Sequence, residues 1–243
     1  MSDVRAPRSG RVIRCEPASF PDAAASRIAE AMEDAIERRG HCAIALAGGA
    51  TPRPVYERMA RSPLAARIAW NRLAIYFGDE RCVPPDDPES NFRMVHEVLL
   101  RHVPIPSVSV HRMEGERADT DAAARDYERL LPTRLDLLLL GMGADGHTAS
   151  LFPHSPALAE RARRVVAVNR PHPSPGRLTI TPAVIHAADA VIVLVAGAEK
   201  AATVARALEG AFMPDELPIQ LALSGTWFVD ENAASKLGPT LRV

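Results

Sequence analysis

Short apolar runs alternate with amphipathic helical stretches along most of the chain, a pattern typical of a parallel α/β sheet. The apolar runs predict strands at Cys42–Ala47, Leu73–Phe77, Asp136–Leu140, Val165–Val168 and Ala190–Val195. The helical spacing of apolar residues predicts helices at Asp22–Arg39, Pro52–Ala60, Glu89–Arg101, Asp121–Leu131 and Glu199–Glu209. We therefore expect an α/β fold with a doubly wound, mostly parallel sheet, helices on both faces, and one domain spanning residues 1–243.

Composition and charge exclude several classes of function. The 243 residues include 29 basic and 30 acidic side chains, so the formal charge of -1 creates no global field for nucleic acid or an anionic membrane. The longest apolar runs are far below the roughly 18 residues that span a bilayer. The N-terminal sequence MSDVRAPRSGRV lacks the apolar region of a secretory signal. We expect a cytoplasmic protein without nucleic-acid or membrane partners, and the sequence leaves its oligomeric state open.

The three cysteines do not indicate a disulfide framework or a metal site. Cys15, Cys42 and Cys82 are an odd number at wide spacings, which fits neither paired cysteines nor the ligand spacing of zinc. Cys42 begins an apolar run, so we expect it to be a buried small hydrophobic residue.

The segment DLLLLGMGADGHTASLFP, residues 136–153, combines an apolar strand with a glycine-rich turn that carries Asp145 and His147. Such a titratable pair at the end of a buried strand is typical of an α/β active site. The three glycines of GMGADG also match the spacing of a dinucleotide fingerprint. That interpretation is disfavoured because Asn169, and not the acid that holds the ribose, stands at the end of the next strand, near Val165–Val168.

Two further turns follow predicted strands and offer groups for an anion. Gly48, Gly49 and Thr51 precede a predicted helix, where exposed backbone amides favour phosphate. Thr51 is expected to cap that helix and Pro52 to occupy its first position. An ordinary strand-to-helix turn explains the same residues, so other anion-binding groups must decide between the two interpretations.

Charged side chains after other strands supply those groups. Asp79 and Arg81 lie in GDER directly after the strand Leu73–Phe77, and the guanidinium of Arg81 offers the fork that a phosphate requires. The alternative for this turn is a solvated loop end. Arg177 and Lys200 are further candidates, although either charge taken singly is more typical of an exposed surface.

The segments GGATP, GDERCVPPDDPESNFRMV, GMGADGHTASLFP, RLTIT and GAEK occur in this order from Gly48 to Lys200. The set closely resembles the 6-phosphogluconolactonase family, and the resemblance covers most of the chain. It implies hydrolysis of 6-phosphoglucono-1,5-lactone to 6-phosphogluconate in the oxidative pentose phosphate pathway. It also implies a modified doubly wound fold shared with sugar-phosphate deaminases, and neither a metal nor an organic cofactor.

The resemblance further assigns roles to individual residues. His147 matches the proposed catalytic histidine of the family, and the glycine-rich turn Gly48–Thr51 would receive the phosphate. Arg81, Arg177 and Lys200 match basic positions expected around the phosphorylated lactone. Ala50 departs from the family pattern, in which serine is common, so one hydroxyl contact to phosphate is absent here.

The chemistry also suits the residue types. A lactone is an activated ester that needs a positioned water, a base near neutral pH and stabilisation of the oxyanion. We expect His147 to take the proton of the water and Asp145 to orient the imidazole ring. We expect structural roles for the other histidines, at positions 41, 96, 102, 111, 172 and 186, and leave His154 open because it lies beside the same segment.

Two other functions remain open at this stage. An amino-sugar-phosphate deaminase or isomerase shares the GGxTP and Asp-Gly-His segments, and Asp79 would serve it as an enolising base. Deaminases carry an acid shortly after Asp-Gly-His, whereas the first acid after Thr148 here is Glu160. A non-catalytic sugar-phosphate sensor is the second alternative, but the sequence contains no DNA-binding motif or basic tail.

Overall fold

The computed structural model describes residues 10–169 and 174–238. The strands are β1 Arg11–Cys15, β2 Cys42–Leu46, β3 Leu73–Phe77, β4 Asp79–Arg81, β5 Leu137–Gly141, β6 Val165–Val168, β7 Arg177–Ile180, β8 Ala190–Val195 and β9 Thr226–Asp230. The α-helices are α1 Phe20–Arg39, α2 Pro52–Met59, α3 Leu64–Arg67, α4 Asn91–Val98, α5 Thr120–Leu130, α6 Pro182–Ala187 and α7 Ala201–Glu209.

The main sheet has six strands in the order β1-β9-β8-β5-β2-β3, and all of its pairs are parallel. Alternate residues of its strands belong to different apolar clusters. Ile44 of β2 lies in a buried cluster with side chains of α1, α2 and α4. Its neighbour Ala45 lies in a second cluster with side chains of α5 and α7. The sheet is thus buried on both faces, and the predicted doubly wound α/β fold is confirmed.

The predicted helices are present, with shifted ends that have local causes. Helix α1 begins at Phe20, two residues early, and ends where Gly40 adopts φ +77° and donates to the carbonyl of Ile36. Helix α4 begins two residues late because the Ser90 hydroxyl caps it by accepting from the amide of Arg93. A 3₁₀ turn at Ala198–Lys200 precedes α7 in place of the first predicted α-helical residues.

A second sheet was not predicted. Strands β4, β7 and β6 form a three-stranded sheet in that order, with antiparallel pairing throughout. The assignment of Val165–Val168 to the parallel sheet is therefore wrong, although its bounds as a strand are right. Its four residues hydrogen-bond to β7, a short strand without a recognisable apolar run. Strands β1 and β9 and helix α6 also escaped prediction.

The structure describes the three cysteines and the length and hydropathy of the helices. Cys42 is fully buried, and burial raises the pKa of its thiol to about 12. Cys15, Cys42 and Cys82 are all free thiols. Among the described helices, none is both long and apolar enough to cross a membrane.

A buried tyrosine forms hydrogen bonds to the backbone at the end of the central strand β2. The hydroxyl of Tyr56, on α2, donates to the carbonyl of Ala47 at 2.9 Å and accepts from the amide of the same residue at 3.0 Å. Tyr56 thereby satisfies both backbone groups of the residue that follows β2. This pairing determines how the chain enters the glycine turn that comes next.

We expect Tyr56→Phe to lower the free energy of unfolding by about 1 to 3 kcal/mol, because two buried backbone groups lose their partner. Urea unfolding followed by circular dichroism measures the change. Tyr76→Phe is the matched control, since the described residues make no hydrogen bond to the Tyr76 hydroxyl. Equal losses in the two variants would show that the paired hydroxyl contributes nothing specific.

Candidate active site

Four neighbouring strands of the main sheet, β8, β5, β2 and β3, bring the polar motifs to one edge. The chain leaves β2 for β3 on one side and leaves β5 for β8 on the other, so the connections diverge between β2 and β5. Such a divergence opens a crevice at the carboxyl ends of the strands. Residues that follow all four strands line one cleft here: Gly48, Gly49, Thr51, Asp79, Arg81, His147 and Lys200.

Asp145 and His147 form a hydrogen-bonded pair after β5. The imidazole Nδ1 lies 2.5 Å from Oδ1 of Asp145, which also accepts from the His147 amide at 3.1 Å. Burial alone would raise the pKa of Asp145, but the hydrogen bonds and charge of His147 together hold that pKa below its usual value. An ionised carboxylate only accepts, so Nδ1 carries a proton and the neutral ring keeps its lone pair on Nε2.

The glycines of this turn have distinct roles. Gly146 requires its φ of +87°, a conformation that disfavours other residues. Gly143 instead makes room, because a Cβ there would lie 2.1 Å from Nδ1 of His147. The phenyl ring of Phe152 packs against the imidazole with centroids 4.8 Å apart. No α-helix opens directly after these glycines within the described segment up to residue 169, so the turn is not a dinucleotide fingerprint.

The glycine turn after β2 faces a lysine from the strand β8 side of the cleft. Lys200 Nζ donates to Oγ1 of Thr51 at 3.1 Å. Desolvation lowers the pKa of Lys200, with Glu199 and Asp230 acting in the opposite direction. The predicted capping role of Thr51 is wrong, since its side chain makes no capping hydrogen bond to α2. Pro52 does occupy the start of that helix, as predicted.

The two arginines predicted for the site differ in position. Arg81 lines the cleft, and its guanidinium donates to the carbonyl of Glu89, directly after the proline-rich loop. Arg177 is not among the residues that line the cleft. Its backbone pairs with that of Arg81 in the β4–β7 ladder, and its guanidinium donates to the carbonyl of Gly176 at 3.1 Å. The structure therefore brings Arg81, but not Arg177, to the cleft wall.

Residues that sequence reasoning missed hold the Asp79–Arg81 strand in place. The buried carboxylate of Glu80 accepts from the amides of Arg81 and Asn91 at 2.7 Å and of Phe92 at 2.8 Å. Burial raises the pKa of Glu80, against the effect of these bonds. Asn91 lines the cleft and is only 2% exposed. Glu80 and Asn91 both lie in the segment GDERCVPPDDPESNF, which also contains Asp79 and Arg81. Their proximity in sequence to these two candidates was the signal that could have identified them.

The remaining histidines lie away from the cleft. None of the described ones belongs to its lining, and position 172 lies outside the described residues. Burial lowers the pKa of His111 and of His186, as expected for structural histidines. His154, left open above, adopts φ +59° and its amide donates to the carbonyl of Asp215. Across residues 10–169 and 174–238, no group of three or more potential ligands is arranged to hold a metal.

Several known proteins are similar to this chain in sequence and in fold. The 6-phosphogluconolactonase of Mycobacterium tuberculosis is 39% identical to this chain in sequence. The alignment covers 90% of this chain and 96% of the relative. The crystal structure of 6-phosphogluconolactonase from Thermotoga maritima covers 91% of this chain and 100% of its own, with a TM-score of 0.80 and 30% identity. A monomeric glucosamine-6-phosphate deaminase covers 93% and 99%, with a TM-score of 0.81, but its 22% identity shows only a shared fold.

The fold and the cleft thus define an α/β protein of the sugar-phosphate isomerase and lactonase type. Residues 16–229 match the family model described as glucosamine-6-phosphate isomerases/6-phosphogluconolactonase. The chain belongs to this family.

The close approach of Asn91 to Gly48 generates a prediction. A Cβ on Gly48 would lie 1.9 Å from Oδ1 of Asn91, so Gly48→Ala must displace a buried side chain and should cost about 1 to 3 kcal/mol of stability. Thermal and urea unfolding measure this loss. Adding Asn91→Ala should recover part of it, because the obstructing amide is then gone.

Gly141→Ala is the control for this experiment. Gly141 also lines the cleft, but a Cβ there would meet nothing within 4 Å. We expect its stability to remain within about 0.5 kcal/mol of the wild type. Additive losses in Gly48→Ala combined with Asn91→Ala would contradict the steric explanation.

Proposed function

We propose that this protein hydrolyses 6-phospho-D-glucono-1,5-lactone to 6-phospho-D-gluconate, a reaction of the oxidative pentose phosphate pathway. The observation that carries the proposal is His147, which is hydrogen-bonded to Asp145 and lines a cleft that also contains Arg81 and Lys200. Asp145 itself is not among the described residues that line this cleft. Family membership and the 6-phosphogluconolactonase relatives support it. We further infer that residues 1–243 form one domain and that the protein works in the cytoplasm.

In this proposal His147 is the general base. Its Nε2 takes a proton from water as the water oxygen bonds to the lactone carbonyl carbon, while Asp145 stabilises the imidazolium that forms. Backbone amides of the turn Gly143–Gly146, which precedes His147, stabilise the oxyanion. The ring C–O bond then breaks, and the proton on His147 passes to the leaving ring oxygen. The serine or cysteine nucleophile of other ester hydrolases has no role in this sequence of steps.

Phosphate recognition is assigned to the turn that follows β2. The turn Gly48–Thr51 offers backbone amides, and Lys200 already lies beside Thr51 at hydrogen-bond distance. Arg81 adds a guanidinium that can bind two phosphate oxygens. Arg177 stays a weaker candidate, because the described cleft is lined without it.

The position of Glu160, the first acidic residue after the Asp-Gly-His segment, argues against a deaminase. Its carboxylate accepts from the amides of Ala162 and Arg163, and it is not among the residues described as lining the cleft. An assay that generates the phosphorylated lactone in situ at slightly acidic pH, where spontaneous hydrolysis is slow, distinguishes the candidates. Acid release above background supports the lactonase. Ammonia release from glucosamine 6-phosphate supports a deaminase, and the absence of both activities supports a sensor.

Loss of the proposed base should remove most of the rate. We expect His147→Ala to lower kcat by about 100- to 10,000-fold, the usual contribution of general-base catalysis, while the product still binds. Titration calorimetry with 6-phosphogluconate and circular dichroism measure binding and folding. His41→Ala, at an exposed position, is the control. A folded His147→Ala protein with normal turnover would refute the assignment of His147 as the base.

Loss of the proposed phosphate ligand should change substrate discrimination. We expect Arg81→Ala to lower kcat/KM on the phosphorylated lactone by about 10- to 100-fold, because a charge-assisted contact contributes about 1.5 to 3 kcal/mol. The effect on unphosphorylated glucono-1,5-lactone should be much smaller. Arg61→Ala, on the surface, controls for lost charge. If both lactones lose activity equally, phosphate recognition belongs to Lys200 and Arg177 instead.

A further inference from the structure

Among the described residues that line the cleft, Asp79 is the one with a negatively charged side chain, and the proposed mechanism does not use it. Asp79 is 9% exposed and is separated from β3 by Gly78. Two side chains hold it from opposite sides. Asn91 Nδ2 donates to Oδ1 at 3.1 Å and to the backbone carbonyl of Asp79 at 2.9 Å. Ser150 Oγ donates to Oδ2 at 2.6 Å.

These two contacts connect Asp79 to two other segments of the cleft. Ser150 belongs to the His147 segment, three residues further along the chain. Asn91 touches the glycine turn, since its Oδ1 occupies the space that a Cβ on Gly48 would need. Asp79 lines the same cleft as His147 and the turn Gly48–Thr51. Its hydrogen bonds therefore connect it to the segment that carries His147 and, through Asn91, to that turn.

The charge of Asp79 restricts what it can bind. A carboxylate beside the doubly negative phosphate of the substrate would be repelled, and the repulsion is strong where water is partly excluded. A carboxylate is also an acceptor with about four lone-pair sites, of which the two donors occupy only part. The remaining sites suit neutral hydroxyl groups. A sugar lactone carries such hydroxyls on the ring carbons that separate its carbonyl from its phosphate.

We propose that Asp79 determines specificity by accepting hydrogen bonds from the ring hydroxyls of the lactone. The inference rests on the proposed function and refines it, because it assigns the middle of the substrate to a residue distinct from both ends. Asn91 and Ser150 are positioning residues in this arrangement. Their donors fix both oxygens of the carboxylate, so the acceptor sites face the cleft before the substrate arrives.

The test pairs Asp79→Asn with lactones that lack one hydroxyl. Wild type and variant are compared on the phosphorylated lactone and on its 2-, 3- and 4-deoxy forms, each generated in situ from the sugar phosphate. On the parent lactone, Asp79→Asn should lower kcat/KM by about 10- to 100-fold, as for loss of a charge-assisted hydrogen bond. On the deoxy form that lacks the bound hydroxyl, wild type and variant should differ by less than about threefold.

Two further variants make the result interpretable. Ser150→Ala removes one donor but keeps the carboxylate, and should give a smaller loss that depends on the same hydroxyl even if Asp79→Asn folds poorly. Asp86→Asn removes the same charge from an exposed loop position and should leave every ratio unchanged. Circular dichroism and thermal unfolding verify the fold of each protein.

Several outcomes would overturn the inference. A wild type that hydrolyses all three deoxy lactones as fast as the parent needs no hydroxyl acceptor, and an equal loss in Asp79→Asn on every lactone indicates a general structural role. Exchange of the C2 hydrogen of a sugar phosphate with solvent, abolished in Asp79→Asn, would make Asp79 a base instead. By contrast, a wild type that does not accelerate hydrolysis of the parent lactone would refute the proposed function itself.

Discussion

Burial of the main sheet on both faces is the constraint that organises this molecule. Side chains of β2 and β5 point alternately into two apolar clusters, so these two central strands have no place for an ionised group. Each crossover in a parallel sheet also returns the chain to the same end. The charged and polar residues that the sequence places after strands therefore meet at one edge, and the cleft is a consequence of the packing.

The absence of a side chain at two glycines is essential to the packing of the cleft. Gly143 leaves space for the imidazole of His147, and Gly48 leaves space for the amide of Asn91. The sequence analysis placed Gly143 in a glycine-rich turn and Gly48 in a turn whose backbone amides favour phosphate. In the structure each glycine instead leaves room for a neighbouring polar side chain, and this packing holds the Asp145–His147 pair and the Asp79 strand in place.

The sequence predicted the features that depend on residues close together in the chain, and few of those that depend on distant partners. Apolar runs located β3 and β6 with the right bounds, and the motif after β5 identified Asp145 and His147. The small sheet escaped because β4 consists of three charged residues, and its pairing with β7 joins positions about a hundred residues apart. Asn91 and Ser150 escaped for the same reason, since a polar residue becomes informative only when its distant partner is known.

The position of the first strand has a consequence for synthesis of the chain. Strand β1 pairs with β9, and β9 in turn separates β1 from β8. A ribosome therefore releases residues 11–15 long before residues 226–230, their hydrogen-bonding partners, exist. Until then the edge of β8 and the whole of β1 remain unpaired, which exposes the nascent chain to association with other chains. Completion of the sheet, with its high contact order, must wait for the last strand and is intrinsically slow.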